Sequence, residues 1–371
     1  MKLLIILLSQ ITFFAFSQNQ SIYVSDAGSW DNPPWQIMKY DAAGQNPEVF
    51  INTHMAWPQD IVFVENQNLV LISNLNSGKI NRHDAVTGDF ISEFATGLGG
   101  PTRMEIGADS LLYVLQWAGD GLVKRFELDG TFKDNFTDTS VNQAIGLDWD
   151  AQGNFYVSSY SLVHIVKFNP QVEFQSLFIE TNLVGPTNIW FKNDGHLMVS
   201  DYDAGALKEF DENGLFINFT ATGLSQTEGV DFYSDGSFLV GNGGNSSVKI
   251  FNPDGSFIQD FIASGSGGLI RPNAVVLRED PTFLYSKKKE KPFIYPSKGR
   301  VFKLNKDLKG NVDTLIVLDF KGLIVKKEVY FDQNQWDLSE LKEGEYYILG
   351  VKNNETEFQA RIFIGDPGGG E

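Results

Sequence analysis

The stretch LMVSDYDAGALKEFDENGLFINF, residues 197–219, predicts two short β-strands joined by a turn, then a second turn and the start of a third strand. Similar stretches recur along most of the chain. Their starts are separated by 41 to 48 residues, and they lie near residues 21, 69, 111, 155, 197 and 238. A period near 40 residues indicates a repeat architecture with six units.

Each copy closes on a further apolar strand, such as PTRMEI (101–106) or PTNIWF (186–191). A sheet of four short strands has two apolar faces, which it cannot bury alone. Radial stacking of six such sheets buries both faces of each. We therefore predict an all-β fold with a six-bladed β-propeller over residues 18–284.

The pattern changes after the propeller. A basic segment, residues 285–293, contains the run SKKKEK and is predicted to be a linker. From residue 294, alternating apolar residues predict strands at 301–304, 314–318, 346–351 and 357–364. These strands predict a small antiparallel β-sandwich over residues 294–365, followed by a flexible tail over residues 366–371.

Composition limits the functions that are open to the protein. Residues 1–17 combine Lys2 with an apolar run that is shorter than a membrane span, which predicts a secretory signal peptide and no transmembrane anchor. The formal net charge of −18 argues against nucleic acid as a partner, because binding to phosphates uses clustered Lys and Arg. With no Cys among its 371 residues, the chain has neither disulfides nor thiolate chemistry.

Two resemblances to known families follow from these residues. The stretches LMVSDYDAGALKEFDENG and GPTNIWFKNDGH resemble NHL repeats and the related gluconolactonase-like propellers. The segments YPSKG (295–299), VLDFKGLIV (317–325), WDLSELKEGEYYI (336–348) and ARIFI (360–364) resemble the C-terminal sorting domain of type IX secretion cargo in Bacteroidetes. The second resemblance implies recognition by the type IX secretion machinery and a final location outside the cell or on its surface.

The resemblance to the gluconolactonase-like propellers implies that the innermost strand of each blade is the one with the P-x-x start, and its first residues are expected to face the mouth of the central channel. Aligning these strands gives candidate ligand-binding residues Gln59, Arg103, Thr187, Asn188 and Asn273. The oxygens of Asp60, Asn188, Glu228 and Asn273 are candidate ligands for Ca²⁺ or another divalent cation. A hydrated polar lining of the channel is the other interpretation of this ring.

The resemblance to gluconolactonases implies a metal held at the mouth, where it polarises a lactone carbonyl or activates water. Glu228 and Asp60 are the candidate catalytic residues under that hypothesis. The sequence fits the expected ligand pattern only in part, because Asn188 is displaced by one place and Glu228 stands where an Asp is expected.

Aromatic residues recur in the loops that follow the first strand of each copy. Trp30, Trp35, Trp117, Tyr160 and Tyr202 lie in loops that also contain Asp or Asn, or next to such loops. A flat aromatic ring beside a carboxylate is a suitable surface for a sugar, although aromatics between blades also belong to cores. Trp30, Trp117 and Tyr202 therefore join the candidate ligand-binding residues.

Taken together, the sequence predicts an exported propeller that acts as an extracellular binding or interaction module. Its ligand, whether glycan, peptide or protein, is left open. The alternative is a metal-dependent hydrolase of the gluconolactonase type that uses the channel mouth.

Overall fold

The structure of the chain is a computed structural model. It describes residues 20–279, 294–295, 298–304, 312–318, 324–329, 335–352 and 355–365. The predicted signal peptide, the basic linker and the C-terminal tail lie outside the described residues. The chain divides into two compact units, Met1–Glu279 and Asp280–Glu371.

The described residues of the first unit, 20–279, contain 24 strands. The first twelve are β1 (Gln20–Asp26), β2 (Gln36–Tyr40), β3 (Glu48–Ile51), β4 (Pro58–Val64), β5 (Leu69–Asn74), β6 (Lys79–Asp84), β7 (Phe90–Ala95), β8 (Pro101–Ile106), β9 (Leu112–Gln116), β10 (Lys124–Phe126), β11 (Phe132–Asn135) and β12 (Ala144–Trp149). The next twelve are β13 (Phe155–Ser159), β14 (His164–Phe168), β15 (Phe174–Ile179), β16 (Pro186–Phe191), β17 (Leu197–Asp201), β18 (Ala206–Phe210), β19 (Phe216–Ala221), β20 (Thr227–Phe232), β21 (Phe238–Asn242), β22 (Ser247–Phe251), β23 (Phe257–Ile262) and β24 (Pro272–Glu279).

These strands form six antiparallel sheets of four strands each, as the repeat predicts. Blade 1 has the order β24-β1-β2-β3, and blades 2 to 6 are β4–β7, β8–β11, β12–β15, β16–β19 and β20–β23. Each innermost strand contacts the innermost strand of the next blade, and β24 contacts both β20 and β4. The six blades therefore close into a ring around a central channel, and the six-bladed propeller is confirmed.

The last strand of the unit closes the ring by pairing with the first. Val24 pairs with Val275, and Ile22 pairs with Leu277, so that β24 becomes the innermost strand of blade 1. One consequence is that the sequence copies and the blades are offset by one strand. The P-x-x strand that ends a copy in sequence is hydrogen-bonded to the strand that follows it, and it opens the next blade.

Side chains of the innermost strands also join neighbouring blades. Asp60, Asp148 and Asp231 occupy blades 2, 4 and 6. Each accepts a hydrogen bond of 2.7 Å from a backbone N–H of the next innermost strand, donated by Met104, Phe191 and Leu277 respectively. These carboxylates accept hydrogen bonds from backbone N–H groups that would otherwise be unpaired along the channel.

The hydrophobic core lies between the blades. One cluster joins Tyr156 and Ile165 of blade 4 to Ile189, Val199 and Phe210 of blade 5. Equivalent clusters join blades 2 and 3, and blades 6 and 1. Each sheet thus covers an apolar face of its neighbour, which is the reason for the radial arrangement.

The turn DENG in the opening stretch shows how the repeat sets its hairpins. Asp211 accepts hydrogen bonds from the backbone N–H groups of Asn213 and Leu215, at 2.9 and 2.8 Å. Gly214 has a φ of 79°, and a Cβ there would lie 2.4 Å from the carbonyl oxygen of Phe178. Glycine is therefore required both by the left-handed backbone and by the close approach of blade 4.

The second unit is the small β-sandwich that the sequence predicts. One sheet has the order β25-β27-β30, and the other has the order β26-β32-β31-β28-β29. Their bounds are β25 (Ile294–Tyr295), β26 (Lys298–Gly299), β27 (Val301–Leu304), β28 (Thr314–Leu318), β29 (Ile324–Val329), β30 (Gln335–Asp337), β31 (Gly344–Lys352) and β32 (Glu355–Ile364). All pairings are antiparallel except the short contact between β26 and β32. Phe302, Leu315, Trp336, Ile348 and Ile362 are among its buried core residues.

Helical structure is minor in the described part of the chain. It consists of three single 3₁₀ turns, at Glu65–Gln67, Gly243–Asn245 and Ser266–Gly268. Within the described ranges, no helix has the length and apolar character that crossing a bilayer requires.

Candidate functional site

The channel mouth lies where the six innermost strands begin. The second residues of these strands are Gln59, Thr102, Ile145, Thr187, Glu228 and Asn273, and all of them except Thr102 form the floor of the mouth. All except Thr102 line one cavity. Thr102 instead donates a hydrogen bond of 2.7 Å to the carbonyl oxygen of Ala144 in the next blade.

A buried polar residue ends the second strand of every blade and holds the loop that leads into the innermost strand. We call these six the tether residues: Asp26, Asn74, Gln116, Ser159, Asp201 and Asn242. Asp26, for example, accepts hydrogen bonds from the backbone N–H groups of Ile270 and Arg271, at 3.0 and 2.8 Å. The other five bond to loop backbone groups at 2.6 to 2.9 Å. The tether residues therefore fix the mouth loops on the rigid sheets.

The residue directly after the tether points its side chain to the mouth in four blades. These residues are Leu75, Trp117, Tyr160 and Tyr202. Each donates its backbone N–H to a carbonyl in the loop before the innermost strand, at 2.8 to 3.1 Å. The aromatic rings form a continuous arc, because the ring centroids of Trp117 and Tyr160 are 5.7 Å apart and those of Tyr160 and Tyr202 are 6.0 Å apart.

Floor and arc enclose a cavity of about 240 Å³, which we call the mouth pocket. Trp30 and Trp57 complete its wall from blade 1 and from the loop before β4. The complete lining is Trp30, Trp57, Gln59, Leu75, Trp117, Ile145, Tyr160, Thr187, Tyr202, Glu228 and Asn273. Five aromatic rings thus surround four polar floor residues.

Two of the donors around the mouth pocket lack a partner. The Trp57 Nε1 and Asn273 Nδ2 atoms are buried and have no hydrogen-bond partner in the part of the chain that the structure describes. Asn273 itself is only 4% exposed. Because an unsatisfied buried donor costs about 1–3 kcal/mol, these two atoms favour a ligand that offers acceptor oxygens.

Beneath the floor, Arg103 lies between two carboxylates. Its Nη1 is 3.0 Å from Asp60 Oδ1, and its Nη2 is 3.5 Å from Glu228 Oε1. Burial raises the pKa of Glu228 to about 7, an effect that the nearby Asp60 strengthens and Arg103 opposes. Burial likewise raises the pKa of Asp60, against the attraction of Arg103. Arg103 therefore supplies the positive charge that keeps these carboxylates compatible with burial.

Further carboxyl groups lie deeper along the innermost strands. Burial, followed by the charges of Asp148 and Asp60, raises the pKa of Glu105 to about 8. Burial also raises the pKa of Asp231 to about 6, although backbone N–H groups bonded to this carboxylate oppose the shift. The channel below the pocket is therefore a region in which carboxyl groups take up protons near neutral pH.

The sequence-predicted site residues fall into three groups. Gln59, Thr187, Glu228, Asn273, Trp30, Trp117 and Tyr202 line the mouth pocket together. Asp60 and Arg103 lie beneath it as an ion pair. Asn188 is half-buried and outside the lining, and its Oδ1 accepts a hydrogen bond of 3.1 Å from the backbone N–H of Ile189.

The proposed metal ligands are thus only partly brought together. Glu228 and Asn273 share the pocket, whereas Asp60 and Glu228 are bridged by a guanidinium. Binding of a divalent cation by Asp60, Asn188, Glu228 and Asn273 stays a prediction. A cation at this position would compete with Arg103 for both carboxylates.

Sequence reasoning did not single out Trp57 or Leu75. Trp57 directly precedes Pro58, the first residue of β4, and its φ of 55° is in the left-handed region. Leu75 directly follows the tether residue Asn74. Both residues would have been identified by comparing, in every blade, the positions that directly flank the strand ends. Trp35, by contrast, lies outside the lining and donates its Nε1–H to the carbonyl oxygen of Trp30, at 2.8 Å.

A second cluster of possible ligands lies on blade 5, away from the mouth. Asp194, His196 and Glu209 bring one carboxylate or ring nitrogen each to within 4.8 Å of one another. Lys192 Nζ occupies this cluster, at 3.0 Å from Asp194 and 2.7 Å from Glu209. A hydrogen bond to Glu209 raises the pKa of His196. A lysine therefore already neutralises part of the negative charge of this cluster.

Comparisons with known proteins address the fold. No protein-family model and no curated protein matches this sequence. Among solved structures, a chain of a nidogen/laminin complex is similar with a TM-score of 0.58 and 14% identity, covering 70% of this chain and 99% of that chain. A protein of unknown function from Bacteroides caccae has a TM-score of 0.56 and 11% identity, covering 70% of this chain and 98% of that chain.

A gluconolactonase-family protein has a TM-score of 0.50 and 16% identity, covering 57% of this chain and 79% of that chain. The three structures therefore include both a partner in a protein complex and a member of an enzyme family. At identities of 11 to 16%, these likenesses show a shared propeller fold, and a fold of this kind supports unrelated functions.

Proposed function

We propose that the protein is an exported carbohydrate-binding propeller, and that its mouth pocket holds one sugar ring. The observation that carries the proposal is the combination of five aromatic walls with a polar floor in a cavity of about 240 Å³. Drug-sized ligands occupy cavities of about 300–1,000 Å³, so this pocket accommodates a single ring-sized group. The rest of a longer glycan would extend into solvent.

The aromatic walls supply the apolar part of such a site. Trp117, Tyr160 and Tyr202 are half-buried, and hydrogen bonds of their backbone N–H groups fix the main chain from which each ring extends. The C–H groups of a sugar ring pack against aromatic faces, and Trp and Tyr each offer a large rigid surface for this contact. A fixed wall also reduces the entropy that is lost on binding.

The floor supplies the polar part. Sugar hydroxyl groups both donate and accept hydrogen bonds. The carboxylate of Glu228 and the amide oxygen of Gln59 are acceptors, while Asn273 Nδ2 and Trp57 Nε1 are donors without a partner. A neutral polyol satisfies both kinds of group at once, which a purely apolar ligand does not.

Export is a further part of the proposal. It rests on the apolar segment at residues 1–17 and on the resemblance of residues 294–365 to a type IX sorting domain. The separate β-sandwich unit is compatible with a removable address domain. A protein is the alternative ligand, because a propeller of the same fold occurs in the nidogen/laminin complex.

A metal-dependent lactonase is the second candidate function. It is favoured by the position of Glu228, which faces the mouth pocket with a pKa near 7, a suitable value for proton transfer. Calorimetry with Ca²⁺ and a lactone-hydrolysis screen test it. Metal-dependent turnover that is lost in Glu228→Gln would support the enzyme, and an inert wild type would remove it.

The sugar-binding proposal is tested with a glycan array. The full chain, labelled with a fluorophore, is compared with the variants Trp117→Ala and Phe132→Ala. Phe132 is a matched control, because it is an aromatic residue that is 51% exposed on an outermost strand, outside the mouth pocket. We expect the wild type and Phe132→Ala to retain the same glycans and Trp117→Ala to lose them. Retention by Trp117→Ala, or no retention by the wild type, would contradict the proposal.

A further inference from the structure

Arg271 lies at the edge of the mouth pocket and has a fixed backbone. It immediately precedes β24, two residues before the floor residue Asn273. Its backbone N–H donates to the tether residue Asp26 at 2.8 Å, and its carbonyl accepts from Ala27 N–H at 3.0 Å. The side chain therefore starts from a well-defined point of the mouth.

The guanidinium of Arg271 stacks on an aromatic wall of the pocket. Its Cζ is 3.5 Å from the centroid of the Trp30 ring. Trp30 is itself part of the pocket lining. Stacking occupies a face of the planar guanidinium and leaves its N–H groups, which lie in the plane, available for hydrogen bonds.

Two of the three nitrogens that carry those N–H groups have no hydrogen-bond partner among the described residues. The Nε and Nη1 atoms of Arg271 are buried and without a hydrogen-bond partner, and Arg271 forms no salt bridge within the described residues. Other arginines of the propeller differ. Arg103 pairs with Asp60 and Glu228, Arg125 with Asp134, and Arg278 with Glu65.

Arg271 is half-buried, and its two buried N–H-bearing nitrogens without a partner are costly, because they have lost water without gaining an acceptor. A carboxylate is the acceptor that best matches its flat array of donors. Asn273 and Trp57, whose Nδ2 and Nε1 donors have no partner among the described residues, line the same pocket. A ligand with acceptor oxygens could satisfy these donors as well. The protein as a whole has a net charge of −18 and repels anions. An arginine without a carboxylate partner at the mouth is therefore a local exception to the charge of the protein.

We infer that the sugar bound in the mouth pocket carries a carboxylate, as a uronic acid does, and that Arg271 binds this carboxylate. The inference rests on the proposed function and adds the class of sugar. The ring of the sugar contacts the aromatic wall, while its carboxylate lies against the guanidinium beside Trp30. Arg271 then determines specificity for acidic over neutral sugars.

The test compares acidic and neutral probes on the full chain by titration calorimetry at pH 7.5 and 50 mM NaCl. The probes are the methyl glycosides of glucuronic and galacturonic acid and those of glucose and galactose. We expect at least one uronide to bind at least tenfold more tightly than its neutral counterpart. In Arg271→Gln this preference should fall to within twofold, while Arg125→Gln, on an outer strand, should keep it.

The outcomes separate this inference from the proposed function. Equal affinity for a uronide and its neutral counterpart in the wild type would overturn the role of Arg271 and leave the sugar site in place. The same holds if Arg271→Gln keeps the full preference. Binding of none of the four probes would count against sugar binding and remove the inference with it. Arg271→Lys, which keeps the charge and loses the planar donors, should show a reduced preference and covers the case in which the Gln variant does not fold.

Discussion

Replacing Arg103 by Met would remove the positive charge beneath the mouth pocket while keeping a long unbranched side chain. In the wild type the guanidinium lies 3.0 Å from Asp60 Oδ1 and 3.5 Å from Glu228 Oε1. Asp60 and Glu228 are both buried, with 4% and 5% of their surface exposed. The variant would therefore leave two buried carboxylates near each other without a counter-charge.

The expected cost depends on pH. Removing one partner of a buried ion pair costs about 3–5 kcal/mol. At pH 8, where Glu228 with its pKa of about 7 is mostly charged, we expect a loss of that size. For a domain of this size it corresponds to a melting temperature lower by roughly 10 °C. At pH 5 the carboxyl groups take up protons, since their pKa values rise further without Arg103, and we expect less than half of the loss.

Thermal unfolding at pH 8 and pH 5, followed by circular dichroism, measures this difference. Arg125→Met is the matched control, because Arg125 forms a partly exposed ion pair with Asp134, and such pairs contribute about 0–1 kcal/mol. Adding Glu228→Gln to Arg103→Met should recover part of the stability at pH 8. Equal losses in the two Met variants, or a loss by Arg103→Met that does not change with pH, would show that Arg103 does not compensate the charges of Asp60 and Glu228.

Three further predictions follow from the same structure. The wild type should be more stable at pH 5 than at pH 8, because folding raises the pKa of Glu228 to about 7. The stability that comes from protonating Glu228 is fully present below about pH 4.5 and is lost as the pH rises through about 7. Chemical denaturation should show a difference of about 3 kcal/mol in unfolding free energy from this residue. Asp148→Ala leaves two backbone N–H donors unpaired and should lower the unfolding free energy by about 2–4 kcal/mol, whereas Asp254→Ala, in an exposed surface turn, should change it far less. Glu209→Gln should lower the pKa of His196, measured by NMR titration, and an unchanged pKa would exclude Glu209 as the cause of the rise.

The floor of the mouth pocket could be predicted from sequence because it depends on strand register alone. Once the P-x-x strands are aligned, the second residue of each strand must face the same end of the channel. Glu228 and Asn273 come together for this reason, although 45 residues separate them in sequence. Trp117 and Tyr202 could be predicted in the same way, since they directly follow the strand ends.

The contacts across the channel could not be predicted in the same way. Arg103, Asp60 and Glu228 belong to three different blades, and register gives neither the reach nor the direction of a long side chain. The aligned column suggested oxygen ligands for a metal, whereas the guanidinium from blade 3 already lies between two of them. Trp57 and Arg271 were missed because they precede the innermost strands, outside the repeated loops.

The tether residues explain how one scaffold combines a rigid mouth with variable chemistry. A buried polar side chain ends the second strand in all six blades, and the residue after it ranges from Gly243 and Ala27 to Trp117. The hydrogen bonds that fix the loop do not depend on the following side chain. The mouth of a propeller can therefore change its lining without loss of its backbone positions.

A crystal structure with the sugar selected by the glycan array would show whether the mouth pocket holds a sugar ring. We expect electron density for one ring between Trp117 and Tyr202, with an oxygen within hydrogen-bond distance of Asn273 Nδ2. A sugar bound on an outer strand or on the β-sandwich unit, with only water in the mouth pocket, would contradict it.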